Sequence, residues 1–387
     1  MRIGLVHDSA GTRHAGGVAV YVQHLAAELA STHEVFLYTQ EGNLSKILER
    51  SAVQVIETPS FHDHLIHSFE PVVPIGEQGL TKLVMYSWMR RNGLIDHIEE
   101  NIDVLCTFQY LDDIVLSNMV DVPTLFEFHG LNSTGLGTTL WERYSQTEHV
   151  LANSPDTARR FRNELGFEVD GVVTPGIDSD RFRPGANPAF MGGPPTILFV
   201  GRIEAEKGIF ETLEAIAALD QPVELRVVGD GDVAGVVQRS LELGIRDAMI
   251  LEGEVPHLEL PGYYVAADVV CMPSHVESFC MVVLEAMACG TPVVASDLSA
   301  ITTYFSDGDH GRLIQPGDPT DIEKALLRIL EDPALRSEMG DQARERARLF
   351  SWTRQARVME RHVATVAGER DKPAEHIELE QLPVGTL

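Results

Sequence analysis

Short apolar runs alternate with helix-patterned stretches along most of this chain, and the alternation breaks once before starting again. Ile3 to Val6, Val35 to Tyr38, Val53 to Ile56, Val104 to Phe108, Thr124 to Phe128 and Val150 to Asn153 read as strands. Strands separated by helices argue for a parallel, doubly wound sheet with helices on its faces. Residues 171 to 195, GVVTPGIDSDRFRPGANPAFMGGPP, cluster proline and glycine and mark a boundary. A second series follows with TILFV, ELRVV, ILEGEV, DVVCMP and the run Val293 to Ala295. The expected fold class is therefore α/β, with two Rossmann-like doubly wound domains. Their bounds are expected at 1–175 and 196–348 around a linker at 176–195. A helix within 349–368 is expected to pack back towards the first domain, ahead of a disordered acidic tail at 369–387.

The richest stretch is Glu277 to Asp297, ESFCMVVLEAMACGTPVVASD. Val282, Val283, Ala286 and Met287 give a short helix an apolar face, Gly290 supplies its C-terminal cap, and Val293 to Ala295 is a buried strand. Such a helix aims unpaired N–H groups and the positive end of its dipole at the preceding loop, which favours bound phosphate. Glu277 and Glu285 bracket this start, as an acid/base pair or as hydrogen-bonding clamps. Upstream, Arg202 and Lys207 lie between a strand end and the mouth of the next helix, where two cations can clamp a diphosphate.

In the first half, Gly16 and Gly17 open a helix after the first strand. They let a ligand approach the backbone or simply make a tight turn; the dinucleotide pattern G-x-G-x-x-G is absent. His129 ends the strand TLFEF at the carboxyl edge of the sheet, where open α/β folds bind ligands, although a structural histidine fits the same position. Asp230 and Asp232 are read as a turn and N-cap in preference to a metal pair. His62, His64 and His67 are read as loop surface in preference to a metal site. The helical candidate Leu80 to Ile98 carries Trp88, Arg90 and Arg91. An ordinary solvated face is the preferred reading of that basic island, with an anionic acceptor or a membrane surface as the other.

Composition sets outer limits. The 387 residues suffice for two cores, and no apolar run reaches the length of a membrane span. The N-terminus reads as a core strand of a cytoplasmic protein rather than a signal peptide. Cys106, Cys271, Cys280 and Cys289 have no metal-ligand spacing and are expected as buried thiols. The formal net charge of -28, with lysine only at 46, 82, 207, 324 and 372, argues against nucleic acid as a partner. It also suggests a halophilic source, in which high salt screens the self-repulsion.

These motifs carry a family resemblance. The GG at the first helix, the strand-end His129, GRIEAEKG, VVGDGD, EGEVPHLELPGYYVAADVVCMPS and ESFCMVVLEAMACGTPVVASD together resemble the retaining nucleotide-sugar glycosyltransferases of family four. The resemblance covers nearly the whole chain and is weakest from Leu44 to Asn101. It implies the GT-B fold, two Rossmann-like domains facing across a cleft, and transfer of a sugar from a nucleotide diphosphate sugar to a hydroxyl acceptor. The acceptor would be a glycan, a lipid-linked sugar or a small molecule, met in the cytoplasm or by peripheral contact at the inner face of the membrane. Arg202 and Lys207 would bind the donor diphosphate, Glu285 the ribose and Glu277 the sugar hydroxyls, with backbone amides of Ser278, Phe279 and Cys280 assisting. His129 would lie near the anomeric carbon, Gly17 would let the first loop approach the donor or acceptor, Gly229 would line the donor site, and Val255 would flank the base.

Relatives often show E-G-F-G where this chain has Ser278 and Cys280, so the loop beside the sugar is altered. The chemistry asks chiefly for a cationic, amide-rich pocket around the leaving diphosphate. No carboxylate pair stands out for double displacement, and the resemblance implies front-face retention; with two cations on the diphosphate, no metal cofactor is expected. A nucleotide-sugar epimerase or hydrolase, and a catalytically silent nucleotide-binding subunit, are the alternative readings.

Overall fold

The computed structural model describes residues 1–11, 16–61, 77–108, 112–130, 147, 149–166 and 168–368. His62, His64, His67 and the tail after Gly368 lie outside the described residues. The chain forms two compact units, one of Met1–Gly176 together with the helix that begins at Trp352, the other of Ile177–Ser351. The Pro/Gly-rich residues from Ile177 onward thus group with the second unit.

The first unit holds β1 (Arg2–Val6), β2 (Glu34–Gln40), β3 (Gln54–Thr58), β4 (Val104–Thr107), β5 (Thr124–Phe128), β6 (His149–Ala152) and β7 (Gly171–Val172). They form one sheet in the order β3-β2-β1-β4-β5-β6-β7, with every described pairing parallel. The second unit holds β8 (Thr196–Val200), β9 (Glu224–Val228), β10 (Met249–Gly253), β11 (Val269–Met272), β12 (Val293–Ser296) and β13 (Gly311–Ile314). Its order, β10-β9-β8-β11-β12-β13, is again parallel throughout. In each sheet the order reverses beside the first strand, between β1 and β4 and between β8 and β11. The carboxyl ends at such a switch point diverge and leave a crevice.

The period of two along a strand explains why TILFV is apolar throughout. Ile197 and Phe199 join the core on one face of the second sheet, while Leu198 and Val200 join the core on the other. Helices cover both faces, so every residue of β8 is buried.

The expected helix Leu80 to Ile98 is in fact two, Glu77–Arg91 and Leu94–Asn101. Gly93 breaks it at φ +76°, a left-handed conformation that glycine adopts without steric cost. A long helix, Pro333–Ala347, has Asp332 as its N-cap. An amphipathic helix, Pro319–Leu330, precedes it and escaped the sequence reading, as did β7 and β13.

Candidate active site

Two loops meet at the switch point of the second sheet. After β8 the chain makes a single 3-10 turn, Ala205–Lys207, that ends at Gly208 with φ +74°. A Cβ at Gly208 would stand 2.2 Å from the carbonyl oxygen of Pro273, so only glycine lets this turn press against the loop after β11. The backbone N–H of His275 donates to the Glu206 carbonyl at 2.8 Å and ties the loops together. The result is an ion pair between residues 70 positions apart, Lys207 Nζ to Glu277 Oε1 at 2.8 Å, largely shielded from solvent. Arg202 extends outward instead, and its guanidinium donates to Glu204 at 2.7 Å. Gly229 draws β9 against β8 and β10: its N–H donates to the Gly253 carbonyl at 2.8 Å, and a Cβ there would lie 1.9 Å from the Gly201 carbonyl oxygen. Asp232 accepts from the N–H of Gly235 at 2.8 Å, as the N-cap reading expects.

Beyond Glu277 the loop runs through Ser278 and Phe279 into the helix Met281–Ala288. Cys280 is its N-cap, at φ 70°, and among the described residues it is the only non-glycine residue with positive φ. The loop therefore keeps a backbone shape that suits glycine while carrying a side chain, a conformation that costs roughly 1–2 kcal/mol. Tyr304 holds that shape. Its ring stacks on Phe279 with centroids 4.7 Å apart, and its hydroxyl donates to the carbonyls of Phe279 and Cys280 at 2.7 and 2.9 Å. Burial, and then the nearby Glu277 carboxylate, push the Cys280 thiol well above the usual thiol range, so it stays neutral.

Glu285 lies one helical turn inside and is only 3% exposed. Its Oε1 pairs with His257 Nε2 at 2.7 Å, and its Oε2 accepts from the Tyr264 hydroxyl at 2.6 Å. Burial and the same carboxylate hold the Tyr264 phenol well above its ordinary value, so it remains a donor. Each carboxylate oxygen keeps a second lone pair for a further donor. Val255, at the end of the β10 loop, is half-buried against the core that carries this helix.

The first sheet gathers a separate polar cluster at its carboxyl edge. His129 follows β5, and its Nε2 lies 3.7 Å from Oε2 of Glu127, a carboxylate with no exposure at all. The Tyr21 hydroxyl, from the helix Gly17–Leu29, is 2.9 Å from both oxygens of Glu127. Burial raises the Glu127 carboxyl, partly offset by His129 and Tyr21. At the end of β1, His7 is buried beside Asp8, and burial lowers its pKa to about 3. Gly17 starts its helix with no described atom within 4 Å of the position a Cβ would take, so packing alone does not require glycine there.

Lys207, Glu277 and Glu285 are legible in the sequence, but the side chains that hold the site are not: His257 and Tyr264 on Glu285, and Tyr304 on the loop before the helix. The sequence reading also missed Glu127, Tyr21, His7 and Asp8. Signals existed for two of these: Glu127 interrupts an apolar strand, and His7 ends β1 as His129 ends β5.

Residues 185–346 match the family described as glycosyl transferases group 1, and residues 15–181 match glycosyltransferase family 4. The chain is 30% identical over 398 residues to D-inositol 3-phosphate glycosyltransferase of Thermomonospora curvata, covering 89% of each protein. Its fold is similar to that of sucrose-phosphate synthase from Thermosynechococcus elongatus, with a TM-score of 0.80, 23% identity and coverage of 95% of this chain and 100% of that one. It is also similar to Anabaena HepE in complex with UDP-glucose, with a TM-score of 0.75, 18% identity and coverage of 94% and 100%. Two parallel doubly wound sheets, a family match on each half and a relative spanning most of the chain identify this protein as a glycosyltransferase of family 4, group 1, with the GT-B fold.

Proposed function

We propose that this enzyme moves a sugar from a nucleoside diphosphate sugar to a hydroxyl acceptor with retention at the anomeric carbon and without a metal cofactor. The observation that carries the reading is the Lys207–Glu277 pair at the switch point, beside the start of the helix Met281–Ala288. A cation and a helix N-terminus suit the leaving diphosphate, while the adjacent carboxylate suits sugar hydroxyls. Arg202 can join the diphosphate cheaply, because its present partner Glu204 is an exposed one. Glu285 accepts from the ribose through its remaining lone pairs, Val255 flanks the base, and His129 faces the sugar.

As the bond from the anomeric carbon to phosphate breaks, its electron pair goes to the diphosphate. The acceptor oxygen bonds to the same face of that carbon and passes its proton to the departing phosphate oxygen. Two cations neutralise the growing charge, which is why no metal is invoked.

Inositol 3-phosphate is the first acceptor to try, given the name of the T. curvata relative. A cytoplasmic location fits four free, buried cysteines. Among the described residues no helix is long and apolar enough to cross a membrane. Peripheral contact would fall to the exposed Arg90 and Arg91, and cosedimentation with anionic but not neutral vesicles would be its sign.

A panel of UDP-, GDP- and ADP-sugars should raise the melting temperature for one nucleotide class, since a ligand of the folded state alone stabilises it. Lys207→Ala and Glu277→Ala should then each lower transfer by roughly 100-fold or more, with the product anomer read by NMR. Full activity in both variants would remove the site assignment. One observation favours a second reading, a subunit that binds nucleotide without transferring: the strained Cys280 at the helix start. Nucleotide binding without donor consumption in the wild type, with turnover restored by Cys280→Gly, would favour it.

A further inference from the structure

We propose that Glu127 is a positioning residue for His129: held by Tyr21, its carboxylate takes the Nε2–H of the imidazole and leaves Nδ1 as acceptor for a substrate hydroxyl. The inference rests on the reading of His129 as the histidine that faces the sugar.

A carboxylate inside a parallel sheet is costly unless paired, and Glu127 has β4 on one side and β6 on the other with no solvent contact. Its neighbours define what it does. The Tyr21 hydroxyl spans both oxygens at 2.9 Å and fixes the plane of the carboxylate. Residues two apart on a strand share a face, so His129 extends over the same side as Glu127. The imidazole is 7% exposed, and its Nε2 has no hydrogen-bond partner among the described residues. Glu127 Oε2 is the acceptor within reach at 3.7 Å, and contacts of this kind shorten when a substrate seats.

Aromatic edges restrict the ring to that orientation. Tyr21 lies 4.6 Å and Phe108 6.0 Å away between centroids, both tilted towards perpendicular. The other titratable groups around the cluster are His7, Asp8, Lys82 and Cys106. Burial keeps His7 neutral and pushes the Cys106 thiol up, so neither places a charge beside His129 to compete with Glu127. The two nitrogens of an imidazole diverge, and a proton held on Nε2 by Glu127 leaves the acceptor lone pair on Nδ1.

The test uses the full chain and the variants Glu127→Gln, Tyr21→Phe, His129→Ala and the double variant Glu127→Gln/His129→Ala. Turnover is read as nucleoside diphosphate release from UDP-glucose, UDP-N-acetylglucosamine and GDP-mannose with inositol 3-phosphate present. Glu127→Gln should lower kcat roughly 10- to 100-fold with donor KM nearly unchanged. Tyr21→Phe should lower it in the same direction by less, and the double variant should be no slower than His129→Ala alone. Multiplying losses, or wild-type kcat in Glu127→Gln, would overturn the proposal. If His129→Ala keeps full activity, the reading of His129 falls and takes this inference with it. If His129→Ala is slow while Glu127→Gln is not, only the inference falls. Nitrogen-15 correlation spectra of the histidine rings give a readout independent of turnover. They should find the His129 proton on Nε2 in the wild type and a mixed tautomer in Tyr21→Phe; a proton on Nδ1 in the wild type overturns the idea.

Discussion

At the scale of single residues, Glu285 depends on partners distant in sequence. Tyr264 precedes it by 21 positions and His257 by 28, and together they use one lone pair on each carboxylate oxygen. Tyr264→Phe keeps the ring and removes one donor, which leaves Oε2 buried and under-satisfied. The expected cost is about 1–3 kcal/mol of stability, measured by urea unfolding, together with weaker nucleotide binding; an unchanged midpoint would show that the hydroxyl is dispensable. Glu277, Glu285 and Gly290 were legible in the sequence because a carboxylate at a helix mouth and a glycine past its end are local signals. Tyr264 and His257 were not, since a tyrosine and a histidine in an amphipathic stretch announce no partner until the fold supplies one. Cys280 stands where the resemblance expects glycine, and the backbone adds that the position keeps a positive φ of 70°.

At the scale of elements, strands were the most legible parts, because a strand buried on both faces is a compact apolar run with sharp ends. TLFEF and ELRVV were read with the bounds they have. β13, GRLI, has an arginine in a four-residue strand, and β7 has only two residues, so neither offers a pattern to detect. The C-terminal helix Trp352–Val366 packs on the helix Gly17–Leu29 within the first unit, and one of its contacts titrates. His362 Nδ1 and His149 Nε2 are 2.9 Å apart, Asp170 lies 3.7 Å from His149, and Arg361 adds a positive charge. Burial first, then the neighbouring His149 and Arg361, lower His362 to about 4, while the unfolded chain titrates near 6.5. As pH falls below 6.5 the unfolded state takes up a proton that the folded state refuses, so stability is lost down to about pH 4 and the loss is then complete. His362→Gln should remove about 1–2 kcal/mol of the acid loss seen at pH 5 relative to pH 7.5. Urea unfolding at both pH values checks this, and an identical acid loss in the two proteins would exclude His362 as its source.

At the scale of the whole molecule, the net charge of -28 opposes compaction through mutual repulsion. That repulsion is long-ranged at low salt, where the screening length is about 10 Å in 0.1 M salt, and nearly vanishes at about 3 Å in 1 M. The expected outcome is an unfolding temperature that climbs with KCl by about 5 °C or more between 0.1 and 2 M. Ion pairs pull the other way, since screening weakens them, but exposed pairs contribute only about 0–1 kcal/mol each. The net sign therefore follows the excess of acid. Glu57, Asp220, Glu331 and Asp341 are exposed, and neutralising all four as Gln or Asn should raise the low-salt melting temperature while flattening its dependence on KCl. Calorimetry across the salt series, with wild type and the fourfold variant side by side, decides it. A melting temperature independent of KCl in the wild type would mean that the acidic surface serves solubility alone. A salt slope that the fourfold variant leaves untouched would assign the effect to salt acting on buried apolar surface instead of on charge.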